Sequence, residues 1–398
     1  MDITIYPRKL RGQLKVIPSK SQAHRLLICA AFANDTTTLI CPDTNRDIEA
    51  TAACLRAIGA TITRTEDSYV VDPVTNIPEN AVLPCSESGS TLRFMLPIAG
   101  ALGIDAVFQL EGRLPERPLS PLWEEMERMG CSLCRPDKSS IRCSGKLRPG
   151  NYNIDGSVSS QFITGLLFAM ALMDGDSQLS IAGRTESKPY ICMTQRAMKI
   201  FGVETQQFCV GGQHSFRTPG SLLVEGDWSN GAFWLAANAL SNHINVLGLD
   251  PSSCQGDRVV ADLVNSAPFP SEIDASDIPD LVPILSVVAA ATNGCIFHNI
   301  ERLRLKESDR VASVKAMLRA LGARTESTPD TMRIYPASFN GCTINSSGDH
   351  RIAMSAAIAA TVANGPVTIL GAQCVEKSYP SFWNAYKALG GRYEQYIR

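Results

Sequence analysis

Two stretches in the first half of the chain place basic or hydroxyl side chains directly before an apolar helical segment. Lys20 and Ser21 precede the apolar segment 26–33, and Arg25 follows Ser21 by one helical turn. Backbone N–H groups, the helix dipole and cations at such a position suit a phosphate or a carboxylate. An ordinary Ser-capped helix with solvated basic residues has the same sequence, so this pattern alone leaves both interpretations open.

The second such stretch contains Ser159, Ser160 and Gln161 ahead of the apolar segment 162–173. Its polar groups exceed what one helix cap requires, which indicates a ligand contact. A turn followed by an N-cap has a similar composition and stays the alternative.

Charged residues in the second half are spaced so that they share a helix face. Lys306 and Arg310 are four residues apart, and Glu307 lies three residues before Arg310. Arg351 opens another apolar helical stretch, and Lys377 precedes the last one. Taken alone, each of these motifs is a weak signal, because a salt-bridged surface helix start would look the same.

Composition limits the classes of function. The 398 residues include 37 Lys and Arg against 39 Asp and Glu, a net charge of -2, which gives no general attraction to nucleic acid or to anionic membranes. The longest apolar runs, 166–173 and 281–291, are shorter than the roughly 18 residues of a membrane span. The start does not resemble a signal peptide, and we expect a cytoplasmic monomer.

The thirteen cysteines mostly lie in apolar stretches, which is typical of reduced cysteine in a reducing compartment. Cys131 and Cys134 form a CxxC without a second ligand pair, so we expect no metal site.

An internal repeat organises the elements that must position these residues. A helical phrase ending in glycine and followed by a β-like run recurs at Gly59, Gly130, Gly202, Gly322 and Gly390. The intervals are about 70 residues except for one nearly twice as long, where 261–269 is a degenerate sixth copy. The glycines are predicted to end helices in the left-handed region.

Six α/β units are therefore expected, with about twelve helices alternating with short strands. Helix starts are predicted at Ser21, Asp47, Ser90, Ser120 and Ser159.

The motifs SKSQAHR, ESGSTLRF, RLPERP, DGSVSSQF, ESKPY, EGDWS, QGD, DIPD, KESDR, SGDHR and EKSYP occur in this order along the chain. In this order they resemble the 5-enolpyruvylshikimate-3-phosphate synthase family of enolpyruvyl transferases. The resemblance implies an α/β fold of two domains, each made of three βαβαββ units as an inverted α/β barrel, with one unit trimmed near 251–275. It implies a discontinuous domain of residues 1–18 plus 225–398, an inserted domain of residues 19–224, and an active site in the interdomain cleft.

The reaction implied is transfer of the enolpyruvyl group of phosphoenolpyruvate to the 5-hydroxyl of shikimate 3-phosphate with release of phosphate, a step toward chorismate and aromatic amino acids. No cofactor is implied. The resemblance assigns catalysis to Asp280 as the base, Glu307 as the proton donor and Lys20 as a second candidate for the proton relay. It assigns shikimate 3-phosphate to Lys20, Ser21, Arg25, Ser159, Ser160, Gln161, Ser187, Tyr190, Asp280 and Lys306. It assigns phosphoenolpyruvate to Lys20, Gly89, Arg117, Gln161, Arg310, Arg351 and Lys377.

This sequence departs from the family pattern at a few positions. Glu87 stands where an Asn is common, Ser19 replaces a usual Gly, and His24 replaces a common Asn. Gly89 is retained, which leads to the hypothesis that glyphosate competes with phosphoenolpyruvate. The alternatives are a UDP-N-acetylglucosamine enolpyruvyl transferase, disfavoured because the loop 111–117 lacks the expected Cys, and a non-catalytic paralogue, disfavoured because the charged residues are present.

Overall fold

The computed structural model describes residues 1–212 and 216–396. The chain forms two compact units. The discontinuous unit consists of Met1–Ile17 and Glu225–Arg398, and the inserted unit consists of Pro18–Val224. Each has a hydrophobic core of its own. Among the described residues, none of the helices combines the length and apolarity that crossing a membrane requires.

The α-helices are α1 (Lys20–Ala31), α2 (Arg46–Ala57), α3 (Gly89–Leu102), α4 (Leu122–Arg128), α5 (Ser160–Leu172), α6 (Lys188–Ile200), α7 (Trp228–Ala239), α8 (Val260–Asn265), α9 (Val282–Ala291), α10 (Arg310–Ala320), α11 (His350–Ala360) and α12 (Phe382–Ala388). These twelve helices of the described residues match the number expected from the sequence.

The strands are β1 (Asp2–Tyr6), β2 (Arg11–Lys15), β3 (Thr37–Ile40), β4 (Thr61–Arg64), β5 (Ser68–Asp72), β6 (Asn80–Ser86), β7 (Asp105–Leu110), β8 (Cys131–Cys134), β9 (Ser140–Gly145), β10 (Asn151–Asp155), β11 (Ser177–Ala182), β12 (Cys209–Val210), β13 (Ser221–Leu223), β14 (His243–Leu247), β15 (Glu272–Asp274), β16 (Cys295–His298), β17 (Thr325–Ser327), β18 (Thr331–Ile334), β19 (Cys342–Asn345), β20 (Val367–Leu370) and β21 (Arg392–Tyr396).

The inserted unit repeats one sheet pattern three times. In the clearest copy, β6-α3-β7-α4-β8-β9, the first two strands pair in parallel and the last two complete an antiparallel edge. The same arrangement gives the sheet β13-β3-β5-β4, and β10-β11-β12 repeats it with one antiparallel strand among the described residues. The parallel pairs β6/β7 and β10/β11 are each joined by one helix, α3 and α5, as a crossover connection requires.

The discontinuous unit has two complete copies and one shortened copy. The sheets β15-β16-β18-β17 and β19-β20-β1-β21 each have four strands, whereas β14 pairs in parallel with β2 alone. After β14 the chain passes through a short 3-10 turn and α8 and then enters β15 without forming a hairpin. The predicted trimmed unit near 251–275 is therefore confirmed, as is the α/β fold of six units.

Several helices begin at a different residue from the one predicted. The capping side chains of α1, α2 and α3 are Ser19, Asn45 and Ser88, each two residues before the predicted Ser21, Asp47 and Ser90. Helix α4 begins at Leu122 without a side-chain cap, so the prediction at Ser120 was wrong by two residues. Ser159 caps α5 as predicted, accepting a hydrogen bond from the backbone N–H of Gln161.

The repeat glycines occupy the position just after a helix C-cap. Gly59, Gly130, Gly202, Gly322 and Gly390 have φ of 109°, 117°, 81°, 97° and 88°. Residues other than glycine rarely adopt a backbone conformation with such a positive φ. The predicted left-handed helix ends are therefore confirmed.

Candidate functional site

Lys20 is fixed at the amino end of α1 by an ion pair. The Lys20 Nζ lies 2.9 Å from Oδ2 of Asp47, in the first turn of α2, and both side chains are largely buried. Ser19 caps the helix by accepting from the Gln22 N–H. The ammonium group is therefore held where the helix presents unpaired N–H groups.

Arg25 connects α1 to α6 through its buried guanidinium. Nη1 donates to the Ser21 carbonyl at 2.6 Å, Nη2 to the Tyr190 carbonyl at 3.0 Å, and Nε to Thr194 Oγ1 at 2.8 Å. The structure thus brings Ser21, Arg25 and Tyr190 together, as a shared binding role requires.

Ser187, immediately before α6, has a left-handed backbone with φ of 54° and a buried side chain. A serine in this conformation costs free energy, and such residues often occur at functional sites. Ser160 is buried at the first residue of α5, next to the capping Ser159.

Gln161 is tied to α3 by an arginine that the sequence analysis missed. Arg93 Nη1 donates to Gln161 Oε1 at 2.9 Å, and Gln161 Nε2 donates to Ser90 Oγ at 2.9 Å. A Cβ added to Gly89 would lie 2.6 Å from Arg117 Nη1 and 2.7 Å from Arg93 Nη1. Two guanidinium groups therefore flank Gly89, and the sequence signal for Arg93 was a charged residue in the motif ESGSTLRF, directly before the apolar run 94–102.

In the discontinuous unit, three cations surround the Asp280 carboxylate. Arg310 Nη1 lies 2.6 Å from Oδ1, Arg351 Nη2 lies 3.2 Å from Oδ2, and Lys306 Nζ lies 3.9 Å from Oδ1. Burial alone would raise the pKa of Asp280, but Arg351, Lys306 and Arg310 outweigh it and hold the pKa well below its ordinary value. Asp280 is therefore a carboxylate whose basicity depends on its cations.

Arg310 is buried and bonded to three carboxylates. Besides Asp280, it donates to Glu307 Oε2 at 2.6 Å through Nη2 and to Asp349 Oδ2 at 2.8 Å through Nε. Burial would lower the pKa of Arg310, but Asp349, Glu307 and Asp280 raise it well above its ordinary value. The predicted cluster of Lys306, Glu307 and Arg310 is thus a tertiary network rather than a surface helix start.

Burial lowers the pKa of Lys306 to about 8, with Arg302 and Arg310 adding to the effect and Asp280 opposing it. A lysine in this state can lose its charge within the ordinary working range of pH.

Two further acids were missed by the sequence analysis. Asp349 caps α11, accepting from the Arg351 N–H, and also holds Arg310. Asp257 is buried, and burial with the charge of Asp280 raises its pKa to about 7, while Ser229 Oγ donates to its Oδ2. Both lie in quoted motifs, SGDHR and QGD, but neither has a sequence pattern that shows its partner.

Lys377 ends a 3-10 helix that follows β20, and Arg117 follows a 3-10 turn in the loop after β7.

In residues 1–212 and 216–396, no three His, Cys, Asp or Glu side chains are grouped so as to hold a metal ion. What these residues can do is bind anions on cationic side chains beside carboxylates that can move a proton.

Comparison with known proteins supports one family. A sequence model described as EPSP synthase (3-phosphoshikimate 1-carboxyvinyltransferase) matches residues 5–386. The chain is 36% identical over 420 aligned residues to the 3-phosphoshikimate 1-carboxyvinyltransferase of Clostridium kluyveri, covering 99% of this chain and 98% of that one. The corresponding figures for the protein of the same name from Clostridium acetobutylicum are 37% over 418 residues, covering 98% and 97%.

Solved structures share the fold. An EPSP synthase from Acinetobacter baumannii has a TM-score of 0.80 at 22% identity, covering 99% of this chain and 100% of that one. The enolpyruvyl transferase NikO from Streptomyces tendae has a TM-score of 0.75 at 17% identity, covering 99% and 98%. At these identities the structural likeness shows the architecture alone.

Proposed function

Because the chain belongs to the EPSP synthase (3-phosphoshikimate 1-carboxyvinyltransferase) family, we propose that it transfers the enolpyruvyl group of phosphoenolpyruvate to the 5-hydroxyl of shikimate 3-phosphate and releases phosphate. The observation that carries the proposal is the family match across residues 5–386. The charged residues that this chemistry needs are retained in both units, which supports it further.

For shikimate 3-phosphate, the proposed ligands in the inserted unit lie on α1, α5 and α6. Arg25 is held by hydrogen bonds to Ser21, Tyr190 and Thr194, so it can contact an anion without losing much side-chain entropy. The proposed set is Lys20, Ser21, Arg25, Ser159, Ser160, Gln161, Ser187 and Tyr190, with Asp280 and Lys306 from the discontinuous unit.

For phosphoenolpyruvate, the proposed ligands in the inserted unit are at the amino ends of α1, α3 and α5, except Arg117, which lies in the loop after β7. Gly89 lacks a side chain where Arg93 and Arg117 approach closely, so a small anion can approach the backbone and both guanidinium groups. The proposed set is Lys20, Gly89, Arg117 and Gln161, with Arg310, Arg351 and Lys377 from the discontinuous unit, and we add Arg93.

The proposed reaction is an addition followed by an elimination. The 5-hydroxyl oxygen bonds to C2 of phosphoenolpyruvate as its proton leaves to Asp280, while C3 receives a proton from Glu307, with Lys20 as a second candidate. Loss of a C3 proton and cleavage of the C2–O bond to phosphate then restore the vinyl group.

The negative charge of the substrates would make Asp280 a stronger base than it is in the free protein. Its three cations hold its pKa well below the ordinary value in the free protein, which makes it a weak base. Anionic substrates that take over part of the pairing with Lys306, Arg310 and Arg351 would raise that pKa toward one suited to proton abstraction.

The test of the function is phosphate release by the purified protein. We expect release only when phosphoenolpyruvate and shikimate 3-phosphate are both present. Release that requires UDP-N-acetylglucosamine instead would overturn the proposal, and so would a protein that binds both substrates without turnover.

The role of Glu307 has its own test. Glu307→Gln keeps the shape of a side chain whose Oε2 accepts from Arg310, but removes the acid. We expect kcat to fall by about 10²-fold or more while the Kd for shikimate 3-phosphate, measured by calorimetry, changes little. Glu326→Gln, an exposed carboxylate paired with Arg324, is the control. Unchanged kcat would sink the assignment.

The cytoplasmic location and the monomeric state stay predictions. We propose both together with the function, and light scattering during gel filtration measures the second directly.

A further inference from the structure

Four buried side chains of the inserted unit form one continuous chain of hydrogen bonds. His24 Nδ1 lies 2.7 Å from Thr51 Oγ1, Thr51 Oγ1 lies 2.7 Å from Thr91 Oγ1, and Thr91 Oγ1 lies 2.8 Å from Ser88 Oγ. None of the four is more than 1% exposed. The chain crosses three helices, from α1 through α2 to α3, beneath the ends that carry the proposed ligands.

The number of protons fixes the direction of this chain. Thr91 has one hydroxyl proton, which it gives to Ser88 Oγ or to the Asp47 carbonyl at 3.4 Å. For all three contacts to be hydrogen bonds at the same time, Thr51 must donate to Thr91 and His24 must donate its Nδ1–H to Thr51, since each hydroxyl has only one proton. The chain thus requires the Nδ1–H tautomer of His24.

The surroundings of His24 agree with this tautomer. Its Nε2 is buried with no hydrogen-bond partner among the described residues, and its ring lies edge-on to Phe94 with centroids 6.2 Å apart. A lone pair is less costly to bury there than an N–H, and burial lowers the pKa of His24 to about 3. His24 is therefore neutral at any working pH.

Ser88, at one end of this hydrogen-bond chain, and Thr91, next to it, meet groups proposed to contact phosphoenolpyruvate. Ser88 caps α3 by accepting from the Thr91 N–H, and Gly89 is the next residue. Asp47, whose carbonyl is one acceptor for Thr91, holds Lys20 through its carboxylate.

We propose that His24, Thr51 and Thr91 are positioning residues that fix the amino end of α3 and the Lys20–Asp47 pair relative to each other for phosphoenolpyruvate. The inference rests on the proposed function, since it takes Gly89 and Lys20 as ligands. Shikimate 3-phosphate depends less on this hydrogen-bond chain, because seven of its ten proposed ligands lie outside α1, α2 and α3.

Substitution at Thr51 tests the positioning role. Thr51→Val keeps the shape, removes the hydroxyl and leaves the donor of His24 without an acceptor. We expect the KM for phosphoenolpyruvate to rise roughly tenfold and the KM for shikimate 3-phosphate to change much less. Thr51→Ser should restore the wild-type value, because it keeps the hydroxyl.

Thr37→Val is the matched control, since Thr37 is equally buried in the same unit and hydrogen-bonds to Thr218 away from the chain. An equal rise in both KM values, or the same change in Thr37→Val, would reduce Thr51 to a structural role and overturn the inference. Wild-type protein without phosphate release would refute the proposed function instead, whatever Thr51 does.

A second measurement needs neither a variant nor activity. In protein labelled with ¹⁵N-histidine, the His24 signal, assigned through contacts to the Phe94 ring, should show the Nδ1–H tautomer and no titration between pH 5 and pH 8, the range in which ordinary histidines titrate. An Nε2–H tautomer, or titration near the ordinary histidine pKa, would contradict the proposed chain of hydrogen bonds from His24 to Ser88.

Discussion

At the scale of single residues, Lys306 shows how burial and charge compete at the proposed site. Its pKa is lowered to about 8, first by burial. Lys306 is thus charged below about pH 8 and loses its charge above it. We expect kcat/KM for shikimate 3-phosphate to fall as the pH rises through that value, because this ratio follows ionisation of the free enzyme.

The variant Lys306→Arg is the control for this pH profile. Arginine stays charged, so the fall near pH 8 should disappear even if the overall rate is lower. A profile that is the same in both proteins would show that another group titrates there.

Gly89 offers a second prediction at this scale. A methyl group there would lie 2.6 Å from Arg117 Nη1 and 2.7 Å from Arg93 Nη1, so the guanidinium groups must move. We expect Gly89→Ala to raise the KM for phosphoenolpyruvate and to weaken competitive inhibition by glyphosate. Gly365→Ala, where the nearest atom would be 3.4 Å away, is the control, and inhibition constants measured for both variants check the prediction.

The candidate residues named from the sequence and the partners that the sequence did not show differ in one physical respect. Lys20, Arg25 and Glu307 lie in local motifs, whose spacing along the chain can be read directly. Asp47 and Asp349 act by holding a cation that lies 27 or 39 residues away in sequence. Only tertiary packing brings such partners together, so no local pattern could show them.

At the scale of elements, the starts of α1, α2 and α3 were predicted to within two residues but with the wrong capping residue. In SKS, Ser19 and Ser21 both suit an N-cap, and the structure uses Ser19, which makes Lys20 the first helical residue. Likewise Asn45 caps α2, leaving Asp47 in its first turn, where it can pair with Lys20. Two candidate caps in a row cannot be ranked from their type alone.

Two of the helix-ending glycines, Gly390 and Gly130, allow the cost of a strained backbone to be distinguished from the cost of steric crowding by a side chain. At Gly390 an added Cβ meets nothing within 4 Å, whereas at Gly130 it would lie 2.7 Å from the Lys146 carbonyl oxygen. Both have positive φ, of 88° and 117°. We expect Gly390→Ala to lower the free energy of unfolding by about 1 kcal/mol, and Gly130→Ala to lower it by more. Urea unfolding of both variants measures this, and equal losses would contradict the crowding argument.

At the scale of the whole molecule, the repeat predicted six α/β units because five helices end with the same glycine at regular spacing and a degenerate copy fills the one long interval. The shortened unit was visible from the sequence because its copy, 261–269, lacks that glycine, and the structure shows why: α8 is followed directly by β15 of the next sheet. The pairing of β1 with β20 and β21 joins the two ends of the chain, which no local signal predicts.

The inserted unit is one contiguous segment with its own core, which leads to a prediction about a fragment. We expect residues 18–224 to unfold cooperatively on their own and to bind shikimate 3-phosphate more weakly than the whole chain, because Asp280 and Lys306 are missing. Calorimetry checks both statements. The control is the fragment carrying Arg25→Ala, which should not bind, and an unfolded fragment would contradict the prediction.

The most direct test of the central claim is the identity of the reaction product. Incubation with ¹³C-labelled phosphoenolpyruvate and shikimate 3-phosphate, followed by NMR, should show a carboxyvinyl ether on the 5-oxygen and one equivalent of inorganic phosphate. No such ether, or an ether formed only on UDP-N-acetylglucosamine, would contradict the account.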